Sequence, residues 1–466
     1  MIINKAMLRA LRSLSAAVVF GVMAGTTGCG WILGLDEFTD APPATGVGGG
    51  GQGCAAPADC PGGEHASAAC EEGACGLDCD SGFADCDGEP GCETPTSTDK
   101  DNCGGCGLTC TAYCVGSSCN DPVDLAAGPA HACAVLKDGT VWCWGEVPGA
   151  EPAETRTQPR QVPLPAAATR VTAGGMVLGP PPWCVGHTCA LLADGRVQCW
   201  GCNDHGQLGV GDTASAEGPR PVDLADIRHI SAGGAHTCAL DVDDRLFCWG
   251  NNSEGQLGNG TTTGALSPLP ISTSMVHLSA GGIHTCGVTL TGTVMCWGAN
   301  GLGQIGDGTH SAQLSPEPVL LDGEDVVCGM FHTCARDPLG AYCWGYNDAG
   351  QLGLGDTVGQ ASPQPLGLPQ IDALALAEAH SGALVDGELY TWGDNSHGQL
   401  GTGTAQDALA PVATGLVEVE QLALGHWFSC ARTKARGILC WGDNSSGQLG
   451  NGTTTSTSVP TPVAWP

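Results

Sequence analysis

A Trp-Gly pair returns along this chain at a nearly fixed interval. It stands at Trp144, Trp200, Trp249, Trp297, Trp344, Trp392 and Trp441, with spacings of 56, 49, 48, 47, 48 and 49 residues. A period of this length marks stacked supersecondary units, because one unit cannot bury its apolar face alone. The third unit shows how each is built. "RHISAGG" (228–234) alternates apolar and polar residues as a strand does. "HTCAL" and "RLFCWG" follow, separated by "DVDD". Then come turn formers, "NNSEGQLGNG", and a proline-bearing stretch, "SPLPI". Three or four short strands per unit make a blade, and a closed ring of blades leaves few exposed sheet edges. Seven units predict an all-β, seven-bladed β-propeller over 120–466.

The phrase "AGGAHTCALDVDDRLFCWGNNSEGQLGNG" resembles the regulator of chromosome condensation repeat, and the resemblance extends over about 120–466. It implies the same seven-bladed fold. Blade one departs from it, with "EVPGAEPAETRTQP" where the others carry Gly-Gln-Leu-Gly or, in blade four, Gly-Gln-Ile-Gly. The repeated Trp is expected to wedge between blades, and Gly-Gln-Leu-Gly to form a tight turn over a buried Leu.

Six blades carry a cysteine pair. Cys133 is read as bonded to Cys143, Cys189 to Cys199, Cys238 to Cys248, Cys286 to Cys296, Cys334 to Cys343, and Cys430 to Cys440. Blade six has Gly382 and Thr391 instead, so the two cysteines are lost together, as a bonded pair requires. A three-residue loop, Lys137-Asp138-Gly139, makes 133–143 a non-hydrogen-bonded pair, with Cα atoms close enough for a disulfide. The third loop position calls for positive φ, which Gly139, Gly195 and Gly292 supply and Arg436 suits poorly. Asp337-Pro338-Leu339-Gly340 predicts a two-residue loop in blade five.

A histidine is read two residues before the first cysteine of every blade: His131, His187, His236, His284, His332, His380 and His426. A sevenfold ring does not give zinc its three or four converging ligands. His380 persists where the cysteines are gone, so a structural hydrogen bond to backbone is expected. Cys328 replaces the small Ala232 of blade three and reads as a buried residue.

The blades are preceded by segments of other composition. "MIINKAMLRALRSL" and "SAAVVFGVMAG" read as the n- and h-regions of an export signal, and the apolar run is too short to span a membrane as a helix. "TTGCG" resembles a bacterial lipobox, which implies lipidation of Cys29. Gly28 fits that pattern, Thr26 departs from it, and Gly30 leaves the outer membrane preferred. The division expected is 1–28 lipoprotein signal, 29–53 glycine-rich tether, 54–119 cysteine-rich disulfide domain and 120–466 propeller. Twenty-eight cysteines in an exported chain mean disulfides before metal. Asp78, Asp80, Asp85 and Asp87 are spaced as calcium ligands, but the full loop and its terminal Glu are missing. No other cofactor is expected.

Net charge is −32 with 16 Lys+Arg, and no basic stripe is present, which excludes nucleic-acid binding. No nucleophile–base set stands outside the repeats, so the chain is not expected to be an enzyme. One insertion breaks the pattern: "MVLGPPPWCVG" in blade two, where blade three has only Ala235. Extending the 189–199 pairing puts Gly186 opposite Cys202 and predicts a bond from Cys184 to Cys202. That bond would hold Trp183, with Pro180, Pro181 and Pro182, as a rigid partner-binding loop. The reading is a monomeric, lipid-anchored, extracytoplasmic binding or scaffold protein with an unknown protein or cell-surface ligand. Protein inhibition, or nucleotide exchange on a small GTPase, is the alternative that the resemblance implies.

Overall fold

The computed structural model describes residues 118–466 apart from 151–153, 177–185 and 436. It also describes 45–46, 66–71, 74–79, 83, 100, 110–112 and 114–115. The signal, Cys29 and most of the cysteine-rich segment lie outside the described residues. So do Pro180, Pro181, Pro182, Trp183, Cys184, Asp80, Asp85 and Asp87, and the side chain of Asp78. Ala66–Glu71 and Ala74–Cys79 of the cysteine-rich segment form a three-stranded backbone sheet with Thr45–Gly46, which falls within the stretch expected to be a tether. Cys110 is bonded to Cys119.

From Pro122 onward the described chain is seven four-stranded antiparallel sheets and no helix. Blade three runs Ile227–Ala232, His236–Asp241, Arg245–Gly250 and Ala265–Ser274. These are its inner, second, third and outer strands. The inner strands form a ring, closed where Val419–Leu424 of blade seven packs on Pro122–Ala127 of blade one. Outer strands carry prolines, such as Pro268 and Pro270, where the missing N–H faces no further strand.

The core lies between blades. Cys238, Leu240, Leu246 and Leu257 of blade three pack with Leu278 and Trp297 of blade four in one buried cluster. Full burial of each such side chain contributes roughly 2–3 kcal/mol. The wedge has a polar pin. Trp297 Nε1 donates to the Gln256 carbonyl of the preceding blade at 3.0 Å. Trp144, Trp249, Trp344, Trp392 and Trp441 do the same to Gln448, Gln207, Gln304, Gln351 and Gln399. Trp200 follows the blade that lacks Gly-Gln-Leu-Gly, and it makes no such bond among the described residues. The Gln-Leu-Gly glycine is required by close approach: at Gly258, φ is 75° and a Cβ would lie 2.6 Å from Trp297 Nε1.

Each cysteine pair expected from the repeat is a disulfide. Cys133 is bonded to Cys143, Cys189 to Cys199 and Cys238 to Cys248. Cys286 is bonded to Cys296, Cys334 to Cys343 and Cys430 to Cys440. Every one of the six has its Cα atoms 4.1 Å apart. The hairpins set that register. Leu136 N donates to Thr140 O, Gly139 has φ 82°, and Cys133 lies opposite Cys143. In blade five, Asp337 pairs with Gly340 across a two-residue loop, which leaves Cys334 opposite Cys343 at the shorter spacing. In blade seven, Thr433 pairs with Gly437 and the positive φ, 65°, falls on Gly437, with Cys430 opposite Cys440. In blade six, Gly382 and Thr391 remain partners, and the space a Cβ at 382 would take is filled by Leu422 of blade seven.

The histidine expectation needs two corrections. The first concerns the acceptor, which is not backbone. His131, His187, His236 and His284 place Nε2 2.8–2.9 Å from the hydroxyls of Thr188, Thr237, Thr285 and Thr333 in the next blade. His332 and His380 reach Ser381 and Ser429. Thr237 Oγ1 donates its own proton to Gln207 O, so it accepts from the histidine of the blade before it, His187, whose proton is thereby fixed on Nε2. The second concerns blade seven. His426 stands four residues before Cys430, and the position opposite the Trp-Gly glycine is Phe428. The next blade offers Ala132 there, which has no hydroxyl, and the two pack in an apolar cluster. A buried imidazole without its acceptor would be costly, so an aromatic hydrocarbon takes the place.

The seam between blades seven and one shares no strand between the chain's ends. It is held by Trp144 on Gln448 O, Gln421 Nε2 on Asp124 Oδ1 at 2.8 Å, and Gly452 N on Thr157 O at 2.8 Å. Trp465 adds edge contacts to Trp142 and Trp144, both at 6.1 Å.

Candidate functional site

Two sets of loops share one end of the propeller. The inner loops join inner to second strands, and the outer loops join third to outer strands. His236 opposite Gly250 shows that both sets leave from the same end. The opposite end carries the hairpins. On the loop face the inner loops ring the axis with seven equivalent positions: Pro129, Gly175, Gly234, Gly282, Met330, Glu378 and His426. Backbone bonds link some of them from blade to blade. Gly234 N donates to Gly281 O, Gly282 N to Gly329 O and Met330 N to Ala377 O, at 2.9–3.2 Å. They surround an axial cavity of about 90 Å³.

Glycines hold these positions in blades two to four, at Gly175, Gly234 and Gly282, with the Met176 side chain lying against Gly234. Blades five to seven fill the mouth with side chains. Glu378 and His426 line the cavity, with Oε2 of one against Nε2 of the other. Burial pushes the Glu378 carboxyl up, and Asp394 adds to the rise. Burial pulls His426 down to about 4; His397 adds to the fall, and Asp394 and Asp443 oppose it. Both groups are thus biased toward their neutral forms, which leaves the pair weakly polarised.

The next ring outward shows the same asymmetry. Blade three has Ala235 there, blade five Phe331 and blade seven Trp427. Trp427 is 39% exposed, the most accessible large aromatic side chain in the described structure. It stacks on His426 at 4.1 Å and on His397 of blade six at 5.0 Å. Phe331 meets Tyr346 edge-on at 6.3 Å, and the Tyr346 hydroxyl donates to Asp348 Oδ2 at 3.0 Å. Burial, Asp348 and Glu378 together raise the Tyr346 phenol. A sector of the face made by three of the seven blades is therefore aromatic and acidic.

The sequence pointed instead to the blade-two loop. Its two described ends, Met176 and Gly186, stand at this same end of the molecule, and Cys202 N donates to Gly186 O at 2.9 Å. Cys202 is disulfide-bonded and buried. Cys328 is buried, and burial pushes its thiol up to about 12. Its sulfur lies within 4.8 Å of ligand atoms of His284 and Cys286. Cys286 is already bonded to Cys296, so the trio offers no free three-ligand set. Sequence reasoning missed the mouth because Met330, Glu378 and His426 are single substitutions inside a repeat. A blade-by-blade comparison of the inner loops would have found them.

Known proteins share this architecture. Residues 147–466 match the profile of the RCC1-like domain, and residues 123–146 match a regulator of chromosome condensation (RCC1) repeat. The chain is similar to yeast RCC1 (Prp20), solved bound to Kap60, at 22% identity and a TM-score of 0.61. That match covers 74% of this chain and 84% of the other. Prp20p from Saccharomyces cerevisiae, in a study of its binding to Gsp1p and histones, matches at 22% identity and 0.62, covering 74% and 86%. Human WBSCR16 matches at 22% identity and 0.58, covering 66% and 85%.

Proposed function

The chain belongs to the RCC1-like domain family, and we propose that it uses that fold as a non-enzymatic, extracytoplasmic binding scaffold, tethered by a lipid on Cys29. The observation that carries the binding role is the break in the repeat at the axial mouth. Three adjacent blades replace glycine and alanine with Met330, Phe331, Glu378, His426 and Trp427. A packing role does not ask for an exposed tryptophan, whereas aromatic anchors beside polar groups are what partner surfaces concentrate. The six blade disulfides support an oxidising compartment. The yeast relatives' binding to other proteins fits a propeller used for recognition.

The test is a photo-crosslinking amino acid placed at Trp427 or at Leu290, which is 82% exposed on the hairpin face. Intact cells are irradiated and adducts identified by mass spectrometry. The reading expects a discrete adduct from position 427 and none from position 290. Adducts from neither, or equally from both, count against it. Palmitate labelling lost in Cys29→Ala tests the tether separately.

A further inference from the structure

Charge on the loop face is one-sided in every blade. None of the fourteen inner and outer loops contains a lysine or an arginine, while every blade places at least one carboxylate there. The cations sit elsewhere: Lys137, Arg196, Arg245 and Lys434 stand at the hairpins of the opposite end. In blades one and two, outer-strand cations reach back to neutralise loop acids, Arg156 on Glu154 and Arg220 on Asp212. In blades five to seven, no lysine or arginine among the described residues pairs with Asp348, Glu378, Asp394 or Asp443. Glu254 and Asp307 in blades three and four likewise lack a lysine or arginine partner among the described residues, and blades five to seven add to that acidity the exposed aromatic ring and the one carboxylate that lines the axial cavity, Glu378.

The geometry points to a basic protein segment as the occupant of this mouth, with one lysine or arginine side chain entering the axial cavity against Glu378. This rests on the scaffold reading and adds the chemistry of the partner. The carboxylates draw the segment in, and a cleft of one sign concentrates the opposite charge. Inside the cavity, Glu378 is screened less by salt than the exposed loop acids are. An arriving cation restores the carboxylate charge that burial disfavours, and it competes with the neutral-leaning His426 for the same oxygen. Trp427, Phe331 and Tyr346 border that entry with apolar surface for the methylene stem of the side chain. A divalent ion fits less well. Among the described residues, the only trio of potential ligand atoms within coordinating reach of one another is His284, Cys286 and Cys328, which includes none of these acids. Spaced carboxylates suit an extended polycation better than a point charge.

The test titrates a short dye-labelled arginine-rich peptide against the full chain by fluorescence anisotropy. Expected is saturable binding that weakens with salt, and a roughly tenfold higher Kd, equivalent to ~1.4 kcal/mol, in Glu378→Gln. Trp427→Ala should weaken binding too. Asp243→Asn, an equal loss of charge at an exposed hairpin, should leave it unchanged. Asp348→Asn, at an exposed position, replaces Glu378→Gln if that variant melts early. No binding at low salt, or equal weakening by Glu378→Gln and Asp243→Asn, overturns the proposal. So does calcium displacing the peptide equally from wild type and Glu378→Gln. A crosslinked partner without a basic segment would overturn it and leave the scaffold reading standing.

Discussion

Six buried imidazoles, from His131 to His380, each bond a hydroxyl of the next blade, so the blade-to-blade contacts can be tested one side chain at a time. Phe428→His places an imidazole opposite Ala132, and the unmet donor should cost about 1–3 kcal/mol. Adding Ala132→Thr should recover most of it. Urea unfolding of both singles and the double gives the coupling, and strict additivity would refute the seam argument. The same histidines make the fold acid-sensitive. Burial holds His131 at about 4 and His187, His236, His284, His332 and His380 at about 3, below the ordinary 6.5. The unfolded chain therefore binds more protons between pH 6.5 and 3. Their stabilisation is complete above pH 6.5 and drains as pH falls toward 3. Melting temperature should fall steeply over that window, and less steeply in His236→Gln. The turn glycines give a third contrast. Gly258→Ala combines a positive φ with a clash against Trp297, and should cost at least ~2 kcal/mol. Gly218→Ala, with nothing within 4 Å of its Cβ, should cost less than ~1 kcal/mol.

At the scale of the blade, the disulfide is a staple placed by the turn. Removing one as Cys238→Ser with Cys248→Ser should lower stability by roughly 2–3 kcal/mol. Blade six allows the reverse experiment. Gly382→Cys with Thr391→Cys has the right register, yet the new side chain at 382 meets Leu422 at 2.5 Å. The bond should form, as peptide mapping without reductant can show, but gain less than the native pair's removal costs. A full gain would mean that Leu422 yields freely. Much of this level was legible in the sequence. Strand count, hairpin register and the fate of paired cysteines follow from local spacing and from comparing blades. What was not legible was contact between blades. Thr188, Thr237 and Thr285 sit about one period from the histidines they serve, and no local pattern joins them. Counting His426 as the seventh ring member failed for that reason. Its true counterpart, Phe428, is explained only by Ala132, almost 300 residues away in sequence. The mouth was missed differently, since each of its aromatic and acidic residues is a single substitution within its own blade, and only the side-by-side packing of blades five to seven gathers them.

For the whole molecule, closure depends on side chains where blade seven meets blade one. Trp465→Ala removes the edge contacts to Trp142 and Trp144, and hydrogen exchange should rise first in blades one and seven, with blade four unaffected. Uniform acceleration would mean the ring opens as a single unit. A further consequence follows from every blade being one uninterrupted stretch of chain, with six of them stapled by hairpin cysteines ten residues or fewer apart. A polypeptide emerging N-terminus first, from a ribosome or an export channel, can complete and oxidise each hairpin before the next appears. No strand waits for a distant partner. Biogenesis then reduces to adding finished blades in order, with the seam as its last event. A stalled or truncated chain would already hold correctly bonded blades and lack only the contact that closes the ring.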